Sequence, residues 1–252
     1  MRWGIISCPM PKGSLHKAPS YIYQSYLTWS EWAGAGVVLI PFDSANLMDY
    51  FSMVDGFIWA GGGIENLRTH SEGQFRKMME TYAKAFDYAV EQNKKRSFPI
   101  YGICMGFYLL VMLSEGVEEH MFRNVSKMEK FGMGTLTFKG SSEMKELFTV
   151  AERRELARTP VANHMHHLGF DVGGKFVKGW KAMRVVSVDE DFVNMVEHKQ
   201  YPFYGSQWHP DRPLTELGAR VSHRLIKWLT GKGRAHKTWA NLNRMGTSIL
   251  IL

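Results

Sequence analysis

The chain has 252 residues, of which 45% are hydrophobic and 22% are charged, and its 31 Lys and Arg against 24 Asp and Glu give a net charge of +7. A chain of this size and composition can bury a large core and is typical of one compact α/β domain, not of a disordered segment. No apolar run reaches the length of a membrane span, and the two cysteines, Cys8 and Cys104, are too few for a disulfide framework.

Short apolar runs alternate with helical patterns along the chain. In the first half they predict strands at 3–7, 37–41, 56–60 and 98–101 and helices at 22–33 and 74–92. In the second half they predict strands at 134–138, 183–188, 194–198 and 203–207 and a closing helix at 216–229. This alternation is typical of a three-layer α/β/α fold with a mostly parallel central sheet, which binds ligands at the carboxyl ends of its strands.

Cys104 lies at the centre of a Gly-x-Cys-x-Gly turn, between an apolar run and a helical pattern at 107–113. This is the arrangement of a nucleophile elbow, a strained turn between a strand and a helix. Glycine suits positions 102 and 106 because a Cβ there would collide with the neighbouring strand or helix. We therefore expect Cys104 to stand exposed at a helix N-terminus, where backbone N–H groups favour the thiolate. The alternative is a buried structural cysteine.

His209 ends the extended segment 201–209, and Pro210 and Asp211 follow it. A cysteine nucleophile needs a base within hydrogen-bond reach, and the base needs a group that orients it. His209 and Asp211 can fill these two roles, and Pro210 keeps the pair out of a helix. The alternative for His209 is a loop histidine without a catalytic task.

Gly-Ile-Cys-Met-Gly at 102–106 together with Gln-Trp-His-Pro-Asp at 207–211 resembles the class I glutamine amidotransferase-like superfamily, and within it the gamma-glutamyl hydrolases. The resemblance is carried by four stretches, 21–41, 56–63, 98–107 and 201–210. It implies a flavodoxin-like fold and a cysteine hydrolase that cleaves γ-glutamyl amide bonds, such as those of poly-γ-glutamyl folates, through a thioester. The implied catalytic residues are Cys104, His209 and Asp211.

Two of the matched positions depart from the family's pattern. Tyr108 stands where the family usually carries Glu or Gln near the amino-acid end of the substrate, which puts substrate recognition in doubt. Asp211 stands where relatives mostly carry Glu, but both side chains keep a carboxylate that can orient the imidazole. The resemblance also implies that Tyr26 and Gln207, with Tyr108, belong to the substrate-binding site.

Backbone N–H donors are expected to stabilise the oxyanion that forms when the thiolate attacks an amide carbonyl. The elbow itself supplies the N–H group of Met105. A second donor is expected from the three glycines at 61–63, because glycine lets the backbone turn an N–H group toward the site. On the residues alone these glycines equally indicate a flexible loop, whereas the resemblance favours Gly62.

Three histidines lie in the segment 162–169. No second cluster of metal-binding residue types lies at zinc-like spacing, so we expect neither a metal nor another cofactor. The resemblance implies that one of these histidines borders the substrate pocket. His167 fits the family's pattern best and His164 is the second choice, while histidines of a surface loop are the other interpretation.

The excess of positive charge lies after Glu216, where seven basic and no acidic residues occur. We therefore divide the chain into a hydrolase domain, 1–230, and a basic tail, 231–252. A solvated terminus is the simplest interpretation of such a tail, so no nucleic acid partner is expected. No membrane partner is expected either, and a homodimer stays open. Pro9 and Pro11 interrupt the first apolar run, which is too short for a secretory signal, so we expect a cytoplasmic protein.

Taken together, these patterns predict a cofactor-independent γ-glutamyl hydrolase that acts on a small-molecule substrate. One alternative is a glutaminase that supplies ammonia to a partner synthase. The other is a binding or structural protein that keeps the fold without catalysis. Intact Cys104, His209 and Asp211 count against this last alternative, whereas Tyr108 counts for it.

Overall fold

The computed structural model describes residues 1–10, 18–62, 72–117 and 126–234. The strands, numbered along the chain, are β1 (Arg2–Ile6), β2 (Cys8–Pro9), β3 (Ser20–Tyr21), β4 (Gly36–Ile40), β5 (Gly56–Trp59), β6 (Ile100–Ile103), β7 (Ser126–Gly134), β8 (Thr137–Phe138), β9 (Ala162–Gly169), β10 (Met183–Asp189), β11 (Phe192–His198) and β12 (Phe203–Ser206). The helices are α1 (Gln24–Glu31), α2 (Leu47–Ser52), α3 (Glu72–Asn93), α4 (Met105–Ser114), α5 (Val150–Leu156), α6 (Lys175–Lys178) and α7 (Glu216–Arg234), and a 3₁₀ turn spans Lys145–Leu147.

An eight-stranded sheet in the order β4-β1-β5-β6-β12-β11-β10-β8 forms the centre of the molecule. The five strands from β4 to β12 are parallel to one another, and β11, β10 and β8 continue the sheet in antiparallel pairs. Every residue of β5, β6 and β12 is buried, as expected for parallel strands covered on both faces. The predicted α/β fold with a mostly parallel sheet and flanking helices is therefore confirmed.

The three central strands β5, β6 and β12 position the site, because their carboxyl ends meet at one edge of the sheet. β5 leads into Gly61 and Gly62, β6 leads into Cys104, and β12 leads toward His209. Three segments that are far apart in the sequence are thereby brought together at that edge.

The predicted strand 134–138 is wrong as a single element. β7 ends at Gly134, which pairs with Ala162 in a separate ribbon, and β8 begins at Thr137, which pairs with Val188 in the main sheet. Between them the N–H group of Leu136 donates to the carbonyl of Leu156 at 2.9 Å. The chain therefore changes from one sheet to the other within the predicted strand.

The segment 162–169, which could have been a surface loop, is strand β9, paired with β7 in a two-stranded antiparallel ribbon. Burial alternates in the middle of the strand, where His164 and His166 are buried and Met165 between them is exposed. The sequence does not indicate this alternation, because the buried positions carry histidine, which usually marks a polar face.

The closing helix α7 extends to Arg234, beyond the predicted domain boundary at residue 230. Two of its basic side chains pair with acidic residues of the domain. Arg224 lies 2.8 Å from Glu152, and the ammonium of Lys232 contacts Glu143. The rest of the predicted tail, 235–252, and the glycine at position 63 lie outside the described residues.

Candidate active site

Cys104 occupies a strained turn between β6 and α4. Its backbone has φ 52° and ψ −106°, in the left-handed half of conformational space that residues with a Cβ seldom adopt. A Cβ on Gly102 would lie 2.4 Å from the carbonyl oxygen of Gly106, and a Cβ on Gly106 would lie 2.1 Å from that of Trp59. Both glycines are thus required by close backbone contacts, as the sequence predicted.

The expected exposure of Cys104 is wrong, since only 6% of the residue is exposed. The carbonyl oxygen of Met165, in β9, lies 4.0 Å from the Cys104 Sγ atom. Gln207 is fully buried and its Nε2 atom also lies 4.0 Å from Sγ. Strand β9 and the end of β12 therefore restrict access to the nucleophile.

His209 and Asp211 form the expected pair beside Cys104. The Nδ1 atom of His209 lies 3.2 Å from the Oδ1 atom of Asp211, which leaves Nε2 for the thiol. The backbone N–H of His209 donates to the carbonyl of Asn163 at 2.9 Å, which fixes the loop to β9. One contact thus orients the imidazole and the other fixes the backbone of His209.

The protonation of His209 follows from opposing effects. Burial lowers the pKa of His209, but hydrogen bonds to Asp211 and Cys104, together with their charges, raise it from 6.5 to about 10. Burial likewise acts to raise the pKa of Asp211, yet the hydrogen bond and charge of His209 hold it below its usual value. The site therefore favours an imidazolium at neutral pH, between Asp211 and Cys104.

A second group of side chains supports Asp211. The Ser25 hydroxyl, near the start of α1, donates to Asp211 Oδ2 at 2.6 Å. Arg212 Nε donates to Ser25 Oγ at 3.1 Å and lies 3.4 Å from Asp211 Oδ2. The Arg212 guanidinium also stacks over the Tyr23 ring at 4.3 Å. Sequence reasoning did not identify Ser25 or Arg212. Ser25 lies 186 residues from Asp211 in the chain, and no local sequence pattern indicates such a pairing.

The residues of the two predicted oxyanion donors, Gly62 and Met105, are close to each other. A Cβ on Gly62 would lie 3.2 Å from Met105 Cε. The N–H of Gly61 is engaged, since it donates to the hydroxyl of Tyr26 at 2.7 Å. By contrast, the N–H groups of Met105 and Gly62 have no acceptor in the part of the chain that the structure describes.

Two of the predicted substrate contacts have other roles in this structure. Tyr26 is fully buried, and its hydroxyl holds the backbone of Gly61. Tyr108 is 2% exposed, and its hydroxyl donates to the carbonyl of Leu168 in β9. Tyr108 therefore ties α4 to β9, and a contact between its hydroxyl and a substrate stays a prediction.

The histidines of β9 face in two directions. His164 is fully buried, with Nδ1 3.1 Å from His166 Nε2 and Nε2 3.1 Å from Asp189 Oδ2. Asp189 also accepts from Lys130 Nζ at 2.8 Å. Burial lowers the pKa of His164, and burial and the neighbouring His164 lower that of His166 to about 3. His167 instead is partly exposed on the outer face. A contact of His167 or His164 with a substrate stays a prediction.

No helix among the described residues is both long and apolar enough to cross a bilayer. Within the same residues, no group of three or more His, Cys, Asp or Glu side chains is arranged to hold a metal ion.

Comparison with known proteins gave one family and a consistent set of relatives. A profile described as Peptidase C26 matches residues 4–211. Gamma-glutamyl hydrolase of Bos taurus is 28% identical over 79% of this chain and 63% of its own length. Gamma-glutamyl hydrolase B of Dictyostelium discoideum is 26% identical over 83% and 62%, and the Homo sapiens enzyme is 27% identical over 76% and 61%. The chain thus spans about three fifths of the length of these relatives.

Solved structures share the fold. A putative GMP synthase component from Thermoplasma acidophilum aligns with a TM-score of 0.59 at 16% identity, over 94% of this chain and 98% of that one. PurLQS from Thermotoga maritima aligns with a TM-score of 0.56 at 13% identity, over 91% and 97%. At such identities the similarity concerns the fold alone.

Proposed function

Because the chain belongs to the Peptidase C26 family, we propose that it is a cysteine hydrolase that cleaves γ-glutamyl amide bonds. The observation that carries this proposal is the buried arrangement of Cys104, His209 and Asp211 at the end of the central strands. The relatives named gamma-glutamyl hydrolase support the substrate class. Poly-γ-glutamyl chains, such as those attached to folates, are the substrates we propose within that class.

The first half of the reaction forms a thioester. The Cys104 thiolate attacks the γ-carbonyl carbon, and the N–H groups of Met105 and Gly62 stabilise the resulting oxyanion. The His209 imidazolium donates its Nε2 proton to the leaving nitrogen as the C–N bond breaks. The amine departs with that proton, and the γ-glutamyl group stays bound to Sγ.

The second half releases the acid and restores the site. His209, now neutral, takes a proton from a water molecule that attacks the thioester carbonyl. The C–S bond breaks, the Cys104 thiolate leaves and the γ-carboxylic acid is released. Asp211 keeps its charge throughout and stabilises the imidazolium in both halves.

The test compares linkages on the purified chain. We expect glutamate release from γ-linked diglutamate, none from α-linked diglutamate, and slower ammonia release from free glutamine. Cys104→Ala is the matched control and should release neither product. Faster turnover of glutamine than of γ-linked diglutamate would indicate a glutaminase, and no turnover of the γ-linked peptide would overturn the proposal.

A further inference from the structure

His209 and Asp211 lie in one four-residue turn. The N–H group of Arg212 donates to the carbonyl of His209 at 3.1 Å, which closes the turn over residues 209–212. Pro210 occupies its second position, where the fixed φ of proline suits a β-turn. This closure does not use the N–H of His209 or the carbonyl of Arg212, the two outward backbone groups of the end residues. Any tilt of the turn therefore moves the base and its orienting carboxylate together.

Asn163 of strand β9 binds both of these outward groups. Its backbone carbonyl accepts from the N–H of His209 at 2.9 Å. Its side-chain Nδ2 atom donates to the carbonyl of Arg212, also at 2.9 Å. One residue thus holds the two ends of the turn, which fixes the orientation of the turn relative to β9 as well as its position.

The burial and the residue type of Asn163 fit this task. Side chains at alternate positions of a strand share a face, so Asn163 lies on the same face of β9 as Met165. Met165 is 37% exposed there, whereas Asn163 is only 5% exposed. Asparagine is uncommon in strands, and its amide is costly to bury without a hydrogen bond. The side chain therefore depends on its bond to the turn.

The other contacts of the turn hold its middle. The Ser222 hydroxyl, in α7, donates to the carbonyl of Pro210, and the Ser25 hydroxyl donates to the carboxylate of Asp211. Neither bond reaches the carbonyl of Arg212. Without the Asn163 amide, the Arg212 end of the turn would lose its bond to β9.

We propose that the Asn163 side chain is a positioning residue for catalysis, because it holds the turn 209–212 at the angle from which His209 reaches Asp211 and Cys104 together. This inference rests on the proposed function, since it concerns the same catalytic residues. It deepens that function by giving a role to a side chain that acts only through the turn.

The charge of His209 reports the position of the turn. Asp211 and Cys104 both raise the pKa of His209. His164 and His166, in β9, also interact with His209, but their own pKa values are lowered, so both are neutral above pH 7. A turn that is held less firmly should therefore lower the pKa of His209, because a longer bond to Asp211 stabilises the imidazolium less.

The first measurement follows the His209 imidazole without any substrate. NMR titration of the chain with isotope-labelled histidine, with His209 assigned from His209→Gln, gives the pKa in the wild type and in Asn163→Ala. We expect the pKa of His209 to be lower by about one unit in Asn163→Ala. An equal pKa of His209 in the two proteins overturns the inference.

The chain offers a matched control in Asn194, another buried asparagine of a strand. Its amide also donates to a carbonyl, that of Thr135 at 3.1 Å, and its own carbonyl accepts from the N–H of Gln207 at 2.8 Å. Asn194→Ala removes the same kind of bond away from the turn. It should keep the wild-type pKa of His209, and a shift equal to that of Asn163→Ala overturns the inference.

The second measurement is kcat and KM for γ-linked diglutamate. In Asn163→Ala we expect kcat to fall about tenfold and KM to change less than about twofold, because the reacting groups are misplaced while the substrate still binds. Asn194→Ala should keep both values, and an equal loss of kcat in the two variants overturns the inference. If the wild type turns over no γ-linked peptide, the proposed function fails, while the pKa of His209 still decides the role of Asn163.

A further variant separates positioning from folding. Asn163→Val fills the space and suits a strand but has no donor for the Arg212 carbonyl, so it should behave like Asn163→Ala. Circular dichroism at the assay temperature checks the fold of each variant. If neither Asn163 variant folds where Asn194→Ala folds, the residue is required for the fold itself, and the inference is overturned.

Discussion

Two effects compete at the proposed catalytic residues. Burial disfavours charge on both His209 and Asp211, whereas their mutual hydrogen bond favours it, and for His209 the neighbouring Cys104 favours it as well. The hydrogen bonds outweigh burial for His209, because its pKa is raised to about 10. In the proposed reaction, the proton that the leaving amine needs is thus already on His209 when the substrate arrives.

The pH dependence of turnover should reflect this pKa. We expect kcat/KM for γ-linked diglutamate to stay high through neutral pH and to fall as pH rises through about 10, where His209 loses the proton that the leaving nitrogen needs. Initial rates from pH 6 to about 11, with the fold monitored by circular dichroism, check this. A decrease already complete below pH 8 would contradict the raised pKa.

Removing the charge of Asp211 should lower kcat much more than it changes KM. In Asp211→Asn we expect kcat to fall about 10²- to 10⁴-fold with a small change in KM, because the imidazolium loses its stabilising carboxylate. Asp211→Glu should keep most of the activity. Ser25→Ala, which removes only the hydrogen bond to Oδ2, should have an intermediate effect of about tenfold. Wild-type kcat in Asp211→Asn would show that another group orients His209.

At the residue scale, sequence motifs predicted the proposed catalytic residues but not the residues that hold them in place. Cys104, His209 and Asp211 lie in short segments whose residue types together imply the chemistry. Ser25 and Arg212 support them through tertiary contacts, and no local pattern encodes such contacts. Tyr108 also has a tertiary role that no local pattern indicates, because its hydroxyl ties α4 to β9, while its contact with a substrate stays a prediction.

At the element scale, the turn around Cys104 requires glycine at positions 102 and 106, where a Cβ atom would collide with the backbone. Gly106→Ala should lower the free energy of unfolding by about 3 kcal/mol or more, because its Cβ would lie 2.1 Å from the carbonyl oxygen of Trp59. Gly73→Ala is the control, since among the described residues no atom outside its own stretch of helix lies within 4 Å of its added Cβ, and it should change stability by about 1 kcal/mol at most. Denaturant unfolding measures both. Equal stability of the two variants would contradict the close contact.

The elements themselves were predictable where they are continuous and apolar. The buried parallel strands β5 and β6 appear as apolar runs in the sequence, and α3 and α7 show helical periodicity. The ribbon of β7 and β9 was not predicted, because its inner face carries His164 and His166 instead of apolar residues. Pairing with Asp189 and with each other lets these polar side chains be buried.

At the scale of the whole molecule, these buried histidines link stability to pH. The folded-state pKa of His166 is lowered from 6.5 to about 3, so its contribution to stability is present above pH 6.5 and is lost as pH falls toward 3. From pH 7 to pH 5 this group should reduce the free energy of unfolding by about 2 kcal/mol. His164 acts in the same direction, because its pKa is also lowered.

The variant His166→Gln should therefore lose less stability than the wild type over that pH range, even if it is less stable at pH 7. Denaturant midpoints at pH 5 and pH 7 provide the measurement. His223→Gln, at a partly exposed histidine of α7, serves as the control and should follow the wild type. Parallel curves for His166→Gln and wild type would show that His166 is not the group that titrates.

The chain has two cysteines, and we propose that Cys104, not Cys8, is the nucleophile. Burial, and then the nearby Cys104, raise the pKa of the Cys8 thiol to about 12, so Cys8 is a poor nucleophile at neutral pH, although its Sγ lies only 3.7 Å from the carbonyl of Gly61. The two cysteines therefore offer a matched pair of substitutions within one site.

The most direct test of the proposed chemistry is kcat/KM for γ-linked diglutamate in the wild type, Cys104→Ala and Cys8→Ala. We expect Cys104→Ala to lose activity by several orders of magnitude with an unchanged fold, whereas Cys8→Ala retains most of it. Retained activity in Cys104→Ala, or no γ-glutamyl hydrolysis by the wild type, would contradict the assignment of Cys104 as the nucleophile of a γ-glutamyl hydrolase.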